Sequence, residues 1–217
     1  MVERETKQKI GPYPELFKRL IREKPNISQD CQYGYVMSET KDNQTRPLLA
    51  ASNLLRREFI EKIAIPDPSP PYTYGYPGPE YCKQILKENG LDYKQIVEIK
   101  PKNHNPHMNT QTELQTLSRY IKEKQYTKNI LIIAPWFHVL RSYITALSEL
   151  KKIKMDIKIF VLSVPYKASE AITHSQGIQR SNRRAICWKE LKKCQEYDNL
   201  ISGEEALNIF QKHRYNN

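Results

Sequence analysis

The sequence predicts an α/β protein built on an open parallel sheet with helices on both faces, followed by a helical extension. Three observations predict it. Apolar strand-length segments alternate with helix-periodic ones over residues 33–165, the pattern of crossover units that lay parallel strands side by side. Two of the strand segments, "NILIIA" (129–134) and "IKIFVLSV" (157–164), are almost continuously apolar, as strands covered on both faces are. Polar residues gather directly after the strand segments, where open α/β sheets bind their ligands.

The elements follow in order. "YPELFKRLIRE" (13–23) spaces Leu16, Phe17, Leu20 and Ile21 as one face of a short amphipathic helix, which "NISQDCQ" breaks. "YGYVMS" (33–38) reads as the first strand, and the polar loop "ETKDNQT" follows it. A helical pattern then runs from Arg46 to about Ile63, with Pro47 in the tolerated first turn. "PDPSPPYTYGYPGP" (66–79) is expected as a rigid loop over a site, with a short strand at 72–74. Residues 79–89 predict a helix stopped by Asn89-Gly90.

"QIVEI" (95–99) is a strand and "KPKNHNPHM" a polar loop. A helix over 111–124 carries Leu114, Leu117, Tyr120 and Ile121 on one face. The apolar strand 129–134 feeds a helix over 138–150, and 157–164 forms the last strand. Helices near 179–197 and 203–212 complete the tail, the second opened by Ser202 before two glutamates. There is no internal repeat. The expected organisation is an N-terminal helical segment (1–30), an α/β domain (31–166) and a C-terminal helical extension (167–217).

With 217 residues, 39% hydrophobic and 27% charged, the chain can bury a sizeable core without staples. The formal net charge of +11 favours an anionic partner. The densest basic cluster, "QRSNRRAICWKELKK", reads as a solvated helix face more readily than as a nucleic-acid surface. No nucleic-acid recognition motif accompanies it, so nucleic acid is not the favoured partner. Cys31, Cys82, Cys187 and Cys194 form no Cys-x-x-Cys pair, which argues against a zinc ribbon and for reduced thiols. The charged start "MVERETKQKIGPYPELF" has no signal-peptide character. The longest apolar run falls short of a membrane span. A cytoplasmic protein is expected.

The candidate site is a matter of placement. Ser38 and Glu39 follow the first strand, with Arg46 at the start of the next helix. Gly75, Tyr76, Gly78 and Glu80 follow the segment at 72–74; Asn109, Thr110 and Glu113 follow the third strand; Trp136, His138 and Arg141 follow the fourth. Thr110 and Glu113 have the spacing of a capping box, a purely structural role. His138 and Arg141 share one face near a helix N-terminus, which attracts anions, and a guanidinium adds bidentate recognition of phosphate or carboxylate. His104 and His107 flank Pro106, but a structural zinc takes four ligands and no metal is expected. G-x-G-x-x-G, Walker A and G-x-S-x-G motifs are absent, which disfavours standard dinucleotide enzymes, kinases and serine hydrolases.

These residues, in this order, resemble a known family. Arg46 and Ala50 on a first helix, Gly75 and Glu80 around a second turn, "NTQTE" (Asn109, Thr110, Glu113) and "APWFHVLRS" (His138, Arg141) are similar to the SanA/ElyC/YdcF-like domain. That bacterial domain, of largely unassigned function, has a Rossmann-like parallel sheet, and the similarity covers roughly residues 33–165. The resemblance implies a small-molecule site. Within the family the chain looks closer to the soluble branch, for which S-adenosylmethionine binding has been suggested.

The expected function is therefore that of an enzyme or binder acting on an anionic, phosphorylated or nucleotide-like small molecule at the carboxyl edge of the sheet. Arg46 and Arg141 would hold the anion, and Asn109 and Thr110 would orient it. His138 would be the general acid/base, and Glu113 and Glu80 would orient it or supply hydrogen bonds. Two alternatives stand beside this: a non-catalytic module docking an acidic partner through its basic surface, and a methyltransferase-like protein binding S-adenosylmethionine.

Overall fold

Five segments pair into one parallel sheet in the computed structural model: β1 (Cys31–Val36), β2 (Ile60–Pro66), β3 (Ile96–Ile99), β4 (Asn129–Pro135) and β5 (Ile159–Val164). Their order across the sheet is β3-β2-β1-β4-β5. The structure describes residues 11–23, 31–68, 75–102, 109–125, 129–166, 172–173, 180–181, 183–197 and 199–215. In register, Tyr35 of β1 lies between Ala64 of β2 and Ile132 of β4. Ile130 to Pro135 are all buried, as the apolar run requires of a strand covered on both faces.

The helices are α1 (Tyr13–Arg22), α2 (Lys41–Arg56), α3 (Pro79–Glu88), α4 (Thr110–Glu123), α5 (Val139–Lys152), α6 (Arg183–Glu196) and α7 (Gly203–Tyr215). From β1 the chain steps through α2 and α3 towards β3; from there it crosses back through α4 to β4, and α5 leads on to β5. Right-handed crossovers in opposite directions put α2 and α3 on one face and α4 and α5 on the other. The helices pack in those two pairs. The fold is thus a Rossmann-like α/β sheet, with its strand order reversing between β1 and β4.

Every residue of α5 from Val139 to Leu150 is buried. A helix on an open sheet normally keeps one face in water; here α1, α6 and α7 cover that face. Tyr13 of α1 donates its hydroxyl to the Ile201 carbonyl at 2.9 Å, joining the two ends of the described chain. Ser148 of α5 accepts the Ile201 N–H at 2.9 Å. The N-terminal helix, the sheet and the tail share one cluster of buried side chains.

Two expectations from sequence are corrected. The helix read over 46–63 is instead α2, which begins at Lys41 and stops at Arg56, and the strand β2. A turn at Arg57 and Glu58 separates them, with Glu58 at a φ of 60°. That left-handed conformation usually selects Gly or Asn, so nothing in "RREFIEK" announced the break. The earlier start also puts Pro47 inside α2 rather than in its first turn. Proline there leaves the carbonyl four residues back without its helical donor, and Tyr166 donates its hydroxyl to that Asn43 carbonyl at 2.8 Å.

The strand expected at 72–74 lies outside the described residues, as do His104 and His107. The second described strand, β2, ends at Pro66, beside Asp67. The tail adds a feature the sequence did not suggest, a two-residue antiparallel pair between β6 (Ile172–Thr173) and β7 (Arg180–Ser181). No described helix is long and apolar enough to cross a membrane.

Candidate functional site

The site is built on the chain segments leaving β1, β4 and β3. After β1 the backbone stays against the sheet, with Met37 N–H donating to the Ile133 carbonyl at 3.1 Å. Gln44 then clamps the next turn: its amide oxygen accepts the Glu39 N–H at 2.6 Å, and its amide nitrogen donates to the Met37 carbonyl at 3.2 Å. Those bonds hold the Glu39 side chain inward, 2% exposed.

After β4 the turn Trp136–His138 is pinned by Trp136 N–H on the Val164 carbonyl at 3.0 Å. Trp136 and Phe137 are buried edge to face, 5.7 Å between ring centroids. The aromatic pair thus anchors the turn and leaves His138, the N-cap of α5, 4% exposed at the sheet edge.

At this edge three side chains form a chain. The Glu39 carboxylate meets His138 Nδ1, and His138 Nε2 lies 2.9 Å from Thr110 Oγ1. Arg141, one turn into α5, donates from Nη1 to the same Thr110 oxygen. A neutral imidazole can satisfy every contact. Nδ1–H donates to Glu39, the Thr110 hydroxyl donates to Nε2, and Thr110 Oγ1 accepts from the guanidinium. Among the described residues no hydrogen-bond partner meets the second Glu39 oxygen, Oε2.

Beside this chain lies a second buried carboxyl. Glu113 of α4 accepts the Ser38 N–H at 2.9 Å and the Tyr35 hydroxyl at 3.0 Å on one oxygen, and the Ser38 hydroxyl on the other. Burial raises its pKa, against the downward pull of those hydrogen bonds and of nearby His138. Tyr35 is pushed well above the usual phenol range, first by burial and then by Glu113.

The tail helix α6 completes the edge. Glu190, fully buried, takes Arg141 in a fork: Nε to Oε2 at 2.7 Å and Nη2 to Oε1 at 3.3 Å. Nη1 also reaches the Tyr197 hydroxyl at 3.1 Å. Burial works against the charged guanidinium, but Glu190 and Tyr197 outweigh it and the pKa of Arg141 rises. Lys193 stands 3.6 Å from Glu190 and is 8% exposed. Burial brings its pKa down to about 8, with Arg141 adding to the fall and Glu190 opposing it.

The expected site residues thus fall into two groups. Thr110, Glu113, His138 and Arg141 converge at the edge where β1 and β4 part. Arg46 is half-buried on α2, its guanidinium 4.6 Å from the centre of the Tyr166 ring. Glu80 does not join the others: its side chain is 81% exposed and pairs with Lys83. Asn109 is also exposed, because its work is to cap α4. Its side chain accepts the Thr112 N–H, and Thr112 Oγ1 accepts the Asn109 N–H, both at 2.9 Å.

The capping box read between Thr110 and Glu113 is therefore one residue out of step. Its partners are Asn109 and Thr112, which leaves Thr110 and Glu113 turned into the edge. Asn outranks or equals Thr as an N-cap, so the shift has a local cause.

Sequence reasoning gave Glu39 no role and overlooked Glu190, Lys193 and Tyr197. A signal for Glu190 existed. It lies four residues from both Ile186 and Cys194, so it sits on the apolar stripe of α6 rather than on the solvated face. Among the described residues no group of three or more His, Cys, Asp and Glu side chains could hold a metal ion. Comparison with protein-family models, curated proteins and solved structures returns no match for this chain.

Proposed function

We propose that the chain is an enzyme acting on a small anionic molecule, phosphorylated or nucleotide-like, in the crevice at the carboxyl edge of the sheet. The observation that carries the proposal is the Glu39–His138–Thr110 chain at the point where the strand order reverses. Open α/β sheets bind ligands at that point. His138 is the proton carrier, held in one tautomer by Glu39. Arg46, half-buried beside Tyr166, supplies the charge for the anion. Arg141 has its fork engaged by Glu190 and serves to orient Thr110. Arg46, Thr110, His138 and Arg141 are among the residues that carry the resemblance to the SanA/ElyC/YdcF-like domain; Glu39 is not.

The test is a thermal-shift screen of the purified protein against phosphorylated metabolites and nucleotides. A hit should stabilise the wild type and lose its effect in Arg46→Ala. For a hit that is turned over, His138→Gln should keep the binding and lose about 10²- to 10⁴-fold in rate. A ligand that stabilises Arg46→Ala as well as the wild type would put the anion elsewhere.

A second reading, docking of an acidic partner, has one observation in its favour. Trp188 of α6 is 63% exposed, with exposed Lys189 and Lys192 beside it. An aromatic residue among lysines fits the centre of an interface with an acidic protein. Pull-down with Trp188→Ala checks it, since capture undiminished by that change removes α6 as the docking face.

A further inference from the structure

We propose that Thr110 is a covalent nucleophile, and that Glu39, His138 and Thr110 form a carboxylate–imidazole–hydroxyl triad that hydrolyses an ester bond in the bound molecule. The inference rests on the proposed function above and names its chemistry. Nucleophilic catalysis by a hydroxyl requires a base within hydrogen-bond reach and a third group that orients the base. Thr110 Oγ1 is 2.9 Å from Nε2 of His138, and Nδ1 of the same ring is held by Glu39.

Three further observations separate this arrangement from a merely structural network. The hydroxyl of Thr110 has no capping duty, because Asn109 and Thr112 cap α4. The Arg141 guanidinium donates to the oxygen that would attack, which favours its deprotonated form. Ser38, another hydroxyl at this edge, instead gives its proton to the Glu113 carboxylate, and among the described residues no imidazole bonds to it. Thr110 itself is buried and follows Asn109, which is exposed.

The reaction balances without any further reagent. Thr110 Oγ passes its proton to His138 Nε2 and forms a bond to the ester carbonyl carbon. The bond from that carbon to the leaving oxygen breaks, and the leaving alcohol takes the proton from Nε2. Water then gives a proton to Nε2 and adds to the acyl carbon. The carbon–Oγ bond breaks, and Oγ recovers its proton from the imidazole. Ester and water become acid and alcohol. Glu39 keeps Nδ1–H oriented throughout and stabilises the imidazolium formed in each half.

A small alkyl fluorophosphonate, which traps activated hydroxyls, provides the test. Intact-mass analysis of the wild type should show one adduct, and peptide mapping should place it on Thr110. Thr110→Ser should label as well, while Thr110→Val should not label at that position. His138→Gln should label at least about 100-fold more slowly, with thermal melts verifying that each variant is folded. Absence of an adduct on Thr110 in the folded wild type, or labelling of His138→Gln at the wild-type rate, overturns the triad. The two readings fail separately. Stabilisation by a phosphorylated ligand without labelling leaves anion binding standing and removes the nucleophile; labelling of Thr110 with no ligand that depends on Arg46 does the reverse.

Discussion

Glu190 holds Arg141 across 49 residues of chain by two N–H···O bonds of 2.7 and 3.3 Å. Both side chains are buried, and the guanidinium so fixed points its remaining nitrogen at Thr110. A pair of this kind contributes little net stability against an apolar replacement, yet losing one partner strands a charge out of water. Glu190→Ala should therefore cost about 3–5 kcal/mol in urea unfolding. Arg141→Met combined with Glu190→Leu should cost much less than the sum of the single changes. A loss below about 1 kcal/mol for Glu190→Ala would mean that the bond does not hold the tail to the edge.

Lys193 makes a pH prediction whose sign is opposite to that of a lysine in a favourable ion pair. Its folded pKa lies near 8, below the ordinary 10.5. Between those values the unfolded chain binds a proton that the folded chain has released, so stability rises with pH across the window. The cost of carrying the buried charge is fully present below pH 8, up to roughly 3 kcal/mol, and is relieved by pH 10.5. Cys82 and Cys194, pushed up to about 12 by burial, act the other way above pH 9. The measurement is thus a difference: wild type should gain stability relative to Lys193→Met from pH 7.5 to 10. Parallel curves for the two proteins would refute it.

Gly203, where α7 begins, has no room for a side chain. A Cβ there would lie 2.7 Å from Cδ1 of Tyr13, 3.0 Å from its Cε1 and 3.1 Å from its backbone nitrogen. Gly203→Ala should lower stability by about 1–3 kcal/mol through overpacking. In a Tyr13→Ser background, with the ring gone, the same change should cost a fraction of that. An equal cost in both backgrounds would locate the effect in the helix itself and not in its contact with α1.

How far the sequence could be read depended on how locally each feature was specified. β4 and β5 were legible because their apolar runs have no other stable place than a covered sheet. His138 and Arg141 were legible because they follow such a strand directly. β2 was not, since Phe59, Ile60 and Ile63 repeat at a spacing that suits a helix and the turn before them uses Glu58 where glycine is usual. Thr110 was found at the edge but given the wrong local partner, because hydroxyl and carboxylate at that spacing mimic a cap. Glu190 and Lys193 escaped notice for a different reason. Glu190 takes its partner from α5 and Lys193 stands beside Glu190, and a run of basic residues reads as solvated until tertiary packing turns one stripe of it inward.

The dependence of Arg141 on Glu190 also sets an order of events on the ribosome. The strands and α5 are translated well before α6, so the guanidinium exists for a time with no counter-ion supplied by the chain. Until Glu190 is made, the two bonds of that fork have no carboxylate to accept them. The fork on Arg141 can therefore close only after α6 has been made and packs against α5.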